Sequence, residues 1–584
     1  MKTDQSKTKN NCDQFLKIGR RVFLVGVIAS SVGCQNIIRR GQSADEPISV
    51  SKYADNIVVS GPRQVGEICG MVGLDSVRVY GISLATELKG TGSAPIESGQ
   101  REHLQRELKL TNKINDIKTL MADKNTELVI IEGRIPPGAQ EGDRFDLRAV
   151  TMSESDATSI ENGVVLSTRL RRMVNLGNRV KKGGVSATAG GPLIVQSLIS
   201  NTDQGEDKLE AVIPAGGKAT EDRVLGLQIQ GDEFNQKTAL QIAHAINKRF
   251  RYRTAVGYDG VAEPRTDRKI GLKVPQVYRN NIGRYASVLN QVVFAENRAQ
   301  LQERLAELEA QIGQPAQSGL AAIQLEAIGE QAQPVLQAAL SHNDLEVRFH
   351  ASEALAYMGI TDGISELVTA AKTDKSYRWH AFAALASMES RDTANVLSEF
   401  FNDSEIDLRY GAFKAIGQQN KDDPIVTGDY LANEFFLHEV DSTAEPTICI
   451  STNHRAEIVI FGSQAAFNDN FLYVESGLTI KSTDNGTLAL TAYSPDFIKE
   501  QRECTNQAAD LIRTLADLGY GFSSQFKILR QASENGSLNA ELAVNPAPTL
   551  DLSRRKRQRV TSDFEDIKPV SGLDQFINWI KPIR

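Results

Sequence analysis

The feature that most constrains the fold is a repeat in the second half of the chain. Arg348, Arg378 and Arg409 each begin the same pattern, with alanine three and six residues later and leucine or isoleucine seven residues later. The pattern residues are Ala351, Ala354, Leu355, Ala381, Ala384, Leu385, Ala412, Ala415 and Ile416. A period of about 30 residues is typical of stacked helix pairs, in which each unit buries its apolar face against its neighbours. This part of the chain is therefore predicted to be an all-α solenoid.

The repeats resemble short HEAT repeats. We expect the array to span residues 313–425 and a linking helix to precede it at 296–312. Ala327-Ile328-Gly329 looks like a degraded first unit, the usual state of a capping repeat. Because solenoids mostly bind or space other proteins, the array predicts a protein ligand rather than a reaction.

On both sides of the array the sequence alternates between strand and helix patterns. Before it, residues 128–131 predict a buried strand, and residues 238–249 predict a helix with Leu240, Ala243 and Ile246 on its buried face. After it, the turn sequence at 484–486 predicts a hairpin. The expected fold class is α+β, with mixed α/β domains interrupted by the all-α solenoid.

Composition excludes several classes of function. The formal charge is −7, which argues against a general grip on nucleic acid. No HExxH, GxSxG, Rossmann or EF-hand pattern is present, so we expect no catalytic, cofactor-binding or metal-binding residues. His350 and His380 follow two repeat arginines, but Gly411 holds the third position, which favours helix-surface or packing roles. A disulfide between Cys449 and Cys504 is allowed but not indicated.

The N-terminus has the pattern of an export signal over residues 1–33, followed by a polar tether at 34–60. The twin-arginine pattern is matched by Arg20, Arg21, Phe23 and Leu24. Cys34 ends a sequence that resembles a bacterial lipobox, so we expect it to carry lipid and hold the protein at a membrane. The alternative is an ordinary cleaved signal in which Cys34 has no role.

Two basic segments stand out in this acidic chain. The first lies at 169–182 and is expected to be either one solvated hairpin or a surface for an acidic rod, a neighbouring subunit or a cell-wall polymer. The second is the run at 554–559 in a polar tail at 549–584, which is typical of a solvated segment or of a surface for an anionic partner. The first segment contains Arg169, Arg171, Arg172, Arg179, Lys181 and Lys182.

Several segments together resemble the flagellar P-ring family, which forms a periplasmic ring around the rod. The sequence YGISLATELKGTG at 80–92 resembles the family segment YGLVVGLNGTGD, with Ser93 where the family has aspartate. Residues 125–142 and 156–170 resemble the next two family segments, and 449–481 and 509–544 resemble two segments near the family's C-terminus. The resemblance therefore implies P-ring-like parts at 61–295 and 430–548, with the array inserted between them.

The resemblance also supplies candidate residues of the family motifs. Gly90-Thr91-Gly92 suits either a tight loop at a subunit contact or an ordinary turn, because glycine permits positive φ and close approach. The remaining family-motif candidates are Gly81, Pro136, Pro137, Gly142, Gly163, Gly519 and Gly536.

The function implied by the resemblance is that of a non-catalytic ring subunit of the bacterial flagellar basal body. It would associate with itself and meet the flagellar rod and outer-membrane ring proteins, while the array binds a further protein. The expected location is the periplasm, with the lipid on Cys34 anchoring the chain to the outer membrane. The alternative is an envelope-anchored lipoprotein that serves as a binding or scaffold module outside any flagellum.

Overall fold

A computed structural model describes the chain over residues 62–93, 99–111, 117–153, 155–176, 179–202, 204–254, 257–475, 477–493 and 499–549. These residues belong to one compact unit, Val58–Arg584. The predicted export-signal residues Arg20, Arg21, Phe23 and Leu24 and the predicted lipidation site Cys34 lie outside the described ranges, as does the tail after residue 549.

The part of the chain before the array is rich in strands. Its helices are α1 (Val65–Ile68), α2 (Gly99–Thr111), α3 (Ile117–Ala122), α4 (Gln196–Ser200), α5 (Gln236–Arg249) and α6 (Ile282–Asn290). Its strands are β1 (Arg63–Gln64), β2 (Cys69–Val72), β3 (Val77–Thr86), β4 (Glu127–Ile135), β5 (Arg144–Thr151), β6 (Val164–Leu176), β7 (Arg179–Pro192), β8 (Ile194–Val195), β9 (Glu210–Ala219), β10 (Leu225–Ile229), β11 (Arg251–Thr254), β12 (Gly257–Gly260), β13 (Ala262–Pro264), β14 (Lys269–Leu272) and β15 (Val293–Phe294).

The largest sheet closes on itself. Its strand order is β5-β4-β3-β6-β7-β9-β8, and β5 also pairs with β9. The predicted strand at 128–131 lies in β4, where all four side chains are buried, as the run of apolar residues led us to expect. α2 and α3 cover one face of this sheet, since Leu104 and Met121 pack with Ile82 and Ile130.

A second sheet, with the order β13-β14-β10-β2, packs against α5. The prediction of a helix near 238–249 is confirmed, but its buried face is turned from the expected one. Ala239, Ile242, Ala243 and Ile246 are buried, whereas Leu240 is 53 % exposed. The side chain of Asn235 caps the first turn by accepting from the backbone N–H of Thr238, and this cap sets where the helix begins.

Helices follow one another from 298 to 427, and no strand occurs among these residues, all of which are described. They are α7 (Arg298–Ile312), α8 (Pro315–Ile328), α9 (Gln333–Ala339), α10 (Leu345–Tyr357), α11 (Ile364–Thr373), α12 (Lys375–Ser387), α13 (Arg391–Glu399), α14 (Ile406–Gln419) and α15 (Pro424–Thr427). α10, α12 and α14 carry the repeat arginines, and each is buried on most of its surface. α11 and α13 between them bury narrow stripes and form the outer row.

After the array the chain builds two more sheets. A five-stranded sheet has the order β16-β17-β19-β18-β24, and a four-stranded sheet has the order β20-β21-β22-β23. The elements are β16 (Asp429–Leu431), β17 (Phe435–Val440), β18 (Thr447–Ser451), β19 (Glu457–Phe461), β20 (Leu472–Glu475), β21 (Leu478–Ser482), β22 (Thr487–Tyr493), β23 (Lys499–Thr505), α16 (Ala508–Asp517), α17 (Phe522–Glu534) and β24 (Glu541–Val544). The predicted turn at 484–486 connects β21 to β22, with Gly486 at φ +72°.

Two large apolar cores each combine chain from before and after the array. In one, buried side chains of the closed sheet such as Ile213 pack with residues such as Phe435 and Phe526. In the other, residues such as Tyr285 and Val459 pack with helices of the array such as α12. Polar contacts join the two flanking parts as well, and the hydroxyl of Ser523 donates to the carbonyl of Leu193. The flanking parts therefore fold together and hold the array between them.

The α+β fold class is confirmed by these elements. Cys69, Cys449 and Cys504 are free thiols, so Cys449 and Cys504 are not paired. None of the helices within the described ranges combines the length and apolar content needed to span a bilayer.

Candidate functional site

The Gly90-Thr91-Gly92 loop is a turn packed inside the molecule. Gly90 has φ +88°, and a Cβ on Gly92 would lie 2.3 Å from the carbonyl oxygen of Thr126. The Thr91 hydroxyl lies 2.8 Å from the carbonyl oxygen of Ser159. The loop thus ties the end of β3 to the segments that precede β4 and β6. These contacts within the chain favour an ordinary structural turn over a loop at a subunit contact.

Ser93, which stands where the family has aspartate, is part of the same turn. Its backbone N–H and its hydroxyl both donate to one carboxylate oxygen of Glu127, at 2.9 and 2.7 Å. Burial raises the pKa of Glu127, while the bonds from Ser93 oppose that shift. A carboxylate at position 93 would face Glu127, so the departure from the family residue fits its surroundings.

The other family-motif candidates lie at turns or at close contacts between strands. A Cβ on Gly81 would be 2.8 Å from the side chain of Leu170, and one on Gly163 would be 2.6 Å from that of Leu88. Pro136-Pro137 begins the turn between β4 and β5, and Gly142 in that turn has φ +92°. Gly519 and Gly536 take positive φ just after α16 and α17, where left-handed residues commonly end helices. The motif residues therefore shape the scaffold.

The first basic segment lies on the β6–β7 hairpin, but much of its charge is paired. Arg169 forms a bidentate pair with Glu107 of α2 at 2.9 and 3.1 Å, and Arg171 approaches the same carboxylate at 4.0 Å. Arg172 lies 3.9 Å from Glu221. The side chains of Arg179, Lys181 and Lys182 lie outside the described part of the chain.

The sequence did not indicate a second basic pair that extends this surface. Arg78 on β3 stands directly opposite Arg134 on β4, and Arg171 stands opposite the next outward residue of β3, Tyr80. Like charges directly opposite each other on neighbouring strands are unfavourable. Arg78, Arg134 and Arg171 therefore place three cations at this end of the closed sheet, on the face that also carries Glu132.

The three repeat arginines make different contacts. Arg348 pairs with Glu366 at 2.6 Å, and Arg378, which is 2 % exposed, binds both Glu405 and Asp407. Arg409 is also 2 % exposed and donates to the carbonyl of Glu445 at 2.9 Å. The repeat alanines Ala351, Ala381 and Ala412 are fully buried. Arg348 thus joins the two helices of its own unit, Arg378 joins its unit to the next, and Arg409 joins the array to the part that follows it.

At the N-terminal end of the array, one arginine lies between two carboxylates. Arg284 of α6 pairs with Glu326 of α8 at 2.6 Å and with Glu353 of α10 at 2.7 Å. The hydroxyl of Tyr278 donates to Glu326 at 2.6 Å. Burial alone would raise the pKa of Glu353, but Arg284 and then His380 outweigh it and lower the pKa to about 2. We call this cluster the Arg284 junction.

At the C-terminal end of the array, one carboxylate gathers several donors. Glu457 of β19 accepts from Tyr410 at 2.7 Å and from Lys414 at 2.9 Å, both on α14, and pairs with Arg455 at 2.6 Å. Burial opposes ionisation of Glu457, yet Lys414 and Arg455 lower its pKa to about 2. Neighbouring His438 is buried, and burial lowers its pKa to about 4. We call this cluster the Glu457 junction.

Sequence reasoning missed both junctions, although one signal for them exists. Glu353 and Lys414 lie five residues after Arg348 and Arg409, at a position that is Ala383 in the middle unit. A charged side chain at a repeat position where another unit has a small residue indicates a contact with residues outside the array.

In the described part of the chain, no group of three or more His, Cys, Asp or Glu side chains is placed to hold a metal ion. His380, which the sequence suggested to be a helix-surface or packing residue, is 27 % exposed and lies 3.5 Å from Glu353.

Comparison with known proteins gives consistent matches. Residues 64–302 match the family model described as flagellar P-ring protein. The flagellar P-ring protein of Thermotoga petrophila is 27 % identical over 240 residues, which cover 39 % of this chain and 66 % of the relative. Those of Helicobacter acinonychis and Albidiferax ferrireducens are 26 % and 25 % identical, each over 34 % of this chain and over 54 % and 52 % of the relative. The matched region thus spans between about half and two thirds of each relative.

The fold and its junctions define an α+β scaffold that carries a helical array between two parts that fold together. The family match begins close to the first described residue and ends in α7, the first helix before the array. Residues 64–302 of this scaffold are similar to the flagellar P-ring proteins, at the level of a divergent relative.

Proposed function

We propose that this chain is a structural, non-catalytic subunit of a P-ring-type ring in the bacterial flagellar basal body. The observation that carries the proposal is the family match over residues 64–302, which includes the whole closed sheet and the sheet that packs on α5. The charged clusters in the described residues add support, because they connect elements of the fold to one another. The chain would associate with itself into a ring around the rod and meet outer-membrane ring proteins.

The three arginines at one end of the closed sheet support an acidic partner such as the rod. The chain as a whole is acidic, with a formal charge of −7, so Arg78, Arg134 and Arg171 form a local exception. Opposite charge speeds association and selects the partner more than it adds affinity. Binding through this face is therefore expected to weaken as ionic strength rises.

The array would act as a HEAT-like module that binds a further envelope protein. Its inner helices face the flanking parts: α10 meets α6 through the Arg284 junction, and α14 meets β19 through the Glu457 junction. A protein ligand would therefore bind the outer row, formed by α11 and α13, where Glu366, Lys372, Arg391 and Glu399 are at least partly exposed. Lipid on Cys34 would hold the assembly in the periplasm at the outer membrane.

The test is isolation of basal bodies from the source bacterium and from a strain that lacks this chain. We expect the wild-type basal bodies to contain the chain in a periplasmic ring, and the deletion strain to lack both that ring and swimming motility. A plasmid copy with Arg78→Glu and Arg134→Glu should restore the chain but not its retention on the rod. The matched control is Arg265→Glu with Lys269→Glu, which removes the same charge from another sheet.

A chain that is absent from basal bodies, in a strain that still swims, would reject the flagellar role. That result would favour the envelope-anchored binding or scaffold module. The limits of the family match give this second function its support, since residues 303–584 lie outside the match.

A further inference from the structure

The four-stranded sheet β20–β23 buries one face and exposes the other. Tyr473, Ile480 and Leu490 point into the core, whereas Leu472 and Val474 on β20 are 54 % and 63 % exposed. On the same outer face Tyr493, at the end of β22, is 52 % exposed. Large apolar side chains grouped on one exposed face commonly mark an interaction surface.

The strand register makes this face continuous. Val474 stands opposite Thr479, and Thr479 stands opposite Thr491, so these three residues form one row across the sheet. On one side of this row, Leu472 stands opposite Lys481. On the other side of it, Tyr493 stands opposite Lys499. We call this surface the Tyr493 face. Its large apolar side chains are Leu472, Val474 and Tyr493, and threonines stand between them; Lys481, Lys499 and Glu503 lie on the same face.

The sheet β13-β14-β10-β2 exposes a second face. Val72 on the edge strand β2 is 50 % exposed, and Val224, just before β10, is 68 % exposed. In the register, Val72 stands opposite Gly226, and Gly226 stands opposite Gly271. The side chain of Arg265 covers Gly271, since its Nε lies 3.3 Å from where a Cβ on that glycine would be. We call this surface the Val224 face.

Acidic residues surround the Val224 face. Asp75, Glu141, Glu221 and Asp222 are all exposed, and hydrogen bonds hold the segments that carry them together: Glu141 donates its backbone N–H to the Asp222 carboxylate at 2.7 Å. The guanidinium of Arg223 is turned away, since it donates to the carbonyl oxygens of Ile135, Gly73 and Asp75. The rim beside Val224 is therefore negative, opposite in sign to the two lysines of the Tyr493 face, whereas Lys269 and Arg265 lie farther along the same face of the sheet.

We propose that the Tyr493 face of one copy packs on the Val224 face of a second copy. Both faces expose large apolar side chains, and the two lysines of the Tyr493 face are complementary in charge to the carboxylates beside Val224. Sheets that pack face to face lie about 10 Å apart, which brings Val474 of one copy near Val224 of the next. The contact uses two different surfaces, so it repeats head to tail and closes into a ring if the rotation permits. The proposal rests on the self-association proposed above and assigns the surfaces that produce it.

The first test is cross-linking of the full chain with a short bismaleimide, in a background of Cys12→Ser, Cys34→Ser and Cys504→Ser that leaves only the buried Cys69 and Cys449. Neither Val224→Cys alone nor Val474→Cys alone should give a dimer, but a mixture of the two should. The double variant should give a ladder of oligomers. Leu110→Cys, which is 66 % exposed on α2 and belongs to neither face, replaces Val224→Cys in the control mixture and should give no dimer.

The second test reverses the charges on each rim. Lys481→Glu with Lys499→Glu, or Asp75→Lys with Glu141→Lys, should each lower the yield of cross-linked dimer about tenfold, because like charges then meet. Mixing one reversed chain with the other should restore the yield. Far-ultraviolet circular dichroism and the melting temperature check that each variant is folded.

The outcomes separate this inference from the proposed function. Rings seen by negative-stain microscopy without the Val224–Val474 cross-link would overturn the inference and leave the ring function standing. Cross-linking that survives either charge reversal unchanged would also overturn it. A chain that stays monomeric at all concentrations, both alone and with added rod protein, would overturn the ring function and this inference together.

Discussion

Ion clusters join the two ends of the array to the flanking parts, and the central residue of the two clusters has opposite charge. At the Arg284 junction one cation satisfies two buried carboxylates, whereas at the Glu457 junction one buried carboxylate is satisfied by a lysine, an arginine and a tyrosine. The side chains of Lys414 and Arg455 are 25 % and 34 % exposed, but those of Glu326 and Glu353 are only 0 % and 6 % exposed. The difference therefore lies in whether the partners can reach water when the central charge is lost.

The largest effect is expected from Arg284→Met. It leaves two carboxylates buried without their cation, and removal of one partner from a buried pair typically costs about 3–5 kcal/mol. We expect a loss of that size in the free energy of unfolding by urea, together with faster hydrogen exchange in α6 and α10. Exchange in β17 should change little. A loss below about 1 kcal/mol would contradict the role given to Arg284.

A matched variant separates lost charge from lost packing. Arg284→Met combined with Glu326→Gln and Glu353→Gln removes the cation and both anions, so it leaves no uncompensated charge. We expect this triple variant to recover more than half of the stability lost by Arg284→Met. Equal losses in the two proteins would show that the stem of Arg284 matters more than its charge.

The next largest expected effect is that acidic pH destabilises the Glu457 junction before the Arg284 junction. The pKa of His438 is lowered to about 4 from its usual 6.5, so the unfolded chain binds a proton that the folded chain does not. The stability from neutral His438 is complete above pH 6.5 and is lost as the pH falls through 4, for a total of about 3 kcal/mol. The pKa of Glu353 is lowered to about 2 from 4.5, so its contribution to the Arg284 junction is lost only below pH 4.5. Burial raises the pKa of Glu326, so its protonation as the pH falls does not weaken the fold.

Hydrogen exchange between pH 7 and pH 4 measures this difference directly. After correction for the intrinsic pH dependence of exchange, protection in β17 should fall over this range, while protection in α10 should hold until about pH 4.5. His438→Gln cannot titrate and should abolish the fall in β17. The same fall in the His438→Gln variant would show that another group causes it.

The sequence could predict those helices and strands whose patterns involve residues close together in the chain, but not the contacts between distant segments. The repeat of Arg348, Arg378 and Arg409 predicted helices because the period is local, and the buried run at 128–131 predicted β4 for the same reason. Leu240 was placed on the wrong face because the spacing of 240, 243 and 246 fits a helical stripe, whereas the stripe that is buried consists of Ala239, Ile242, Ala243 and Ile246. The junction pairs Arg284–Glu353 and Tyr410–Glu457 join distant segments, and one sequence without covariation carries no direct signal of such pairs. The family-motif glycines were found through resemblance, and their roles in turns came from φ angles and close contacts.

Glu457→Gln should cost less than Arg284→Met. The amide still accepts from Tyr410, and the freed side chains of Lys414 and Arg455 are exposed enough to turn towards water. We expect a loss of about 2 kcal/mol in the free energy of unfolding, close to that for one unsatisfied buried hydrogen-bonding group. Lys414→Met in the same background should cost little more. A loss equal to that of Arg284→Met would show that exposure of the partners does not control the cost.

The smallest effect is expected from His380→Gln at the Arg284 junction. The imidazole lies 3.5 Å from Glu353 and is 27 % exposed, whereas Arg284 holds the same carboxylate at 2.7 Å. Partly exposed ion pairs contribute about 0–1 kcal/mol, so the urea midpoint should shift only slightly at pH 7. In the Arg284→Met background, however, His380 would be the nearest remaining cation to Glu353 when protonated. His380→Gln should therefore cost more in that background than alone, and equal costs would mean that Arg284 and His380 act on Glu353 independently.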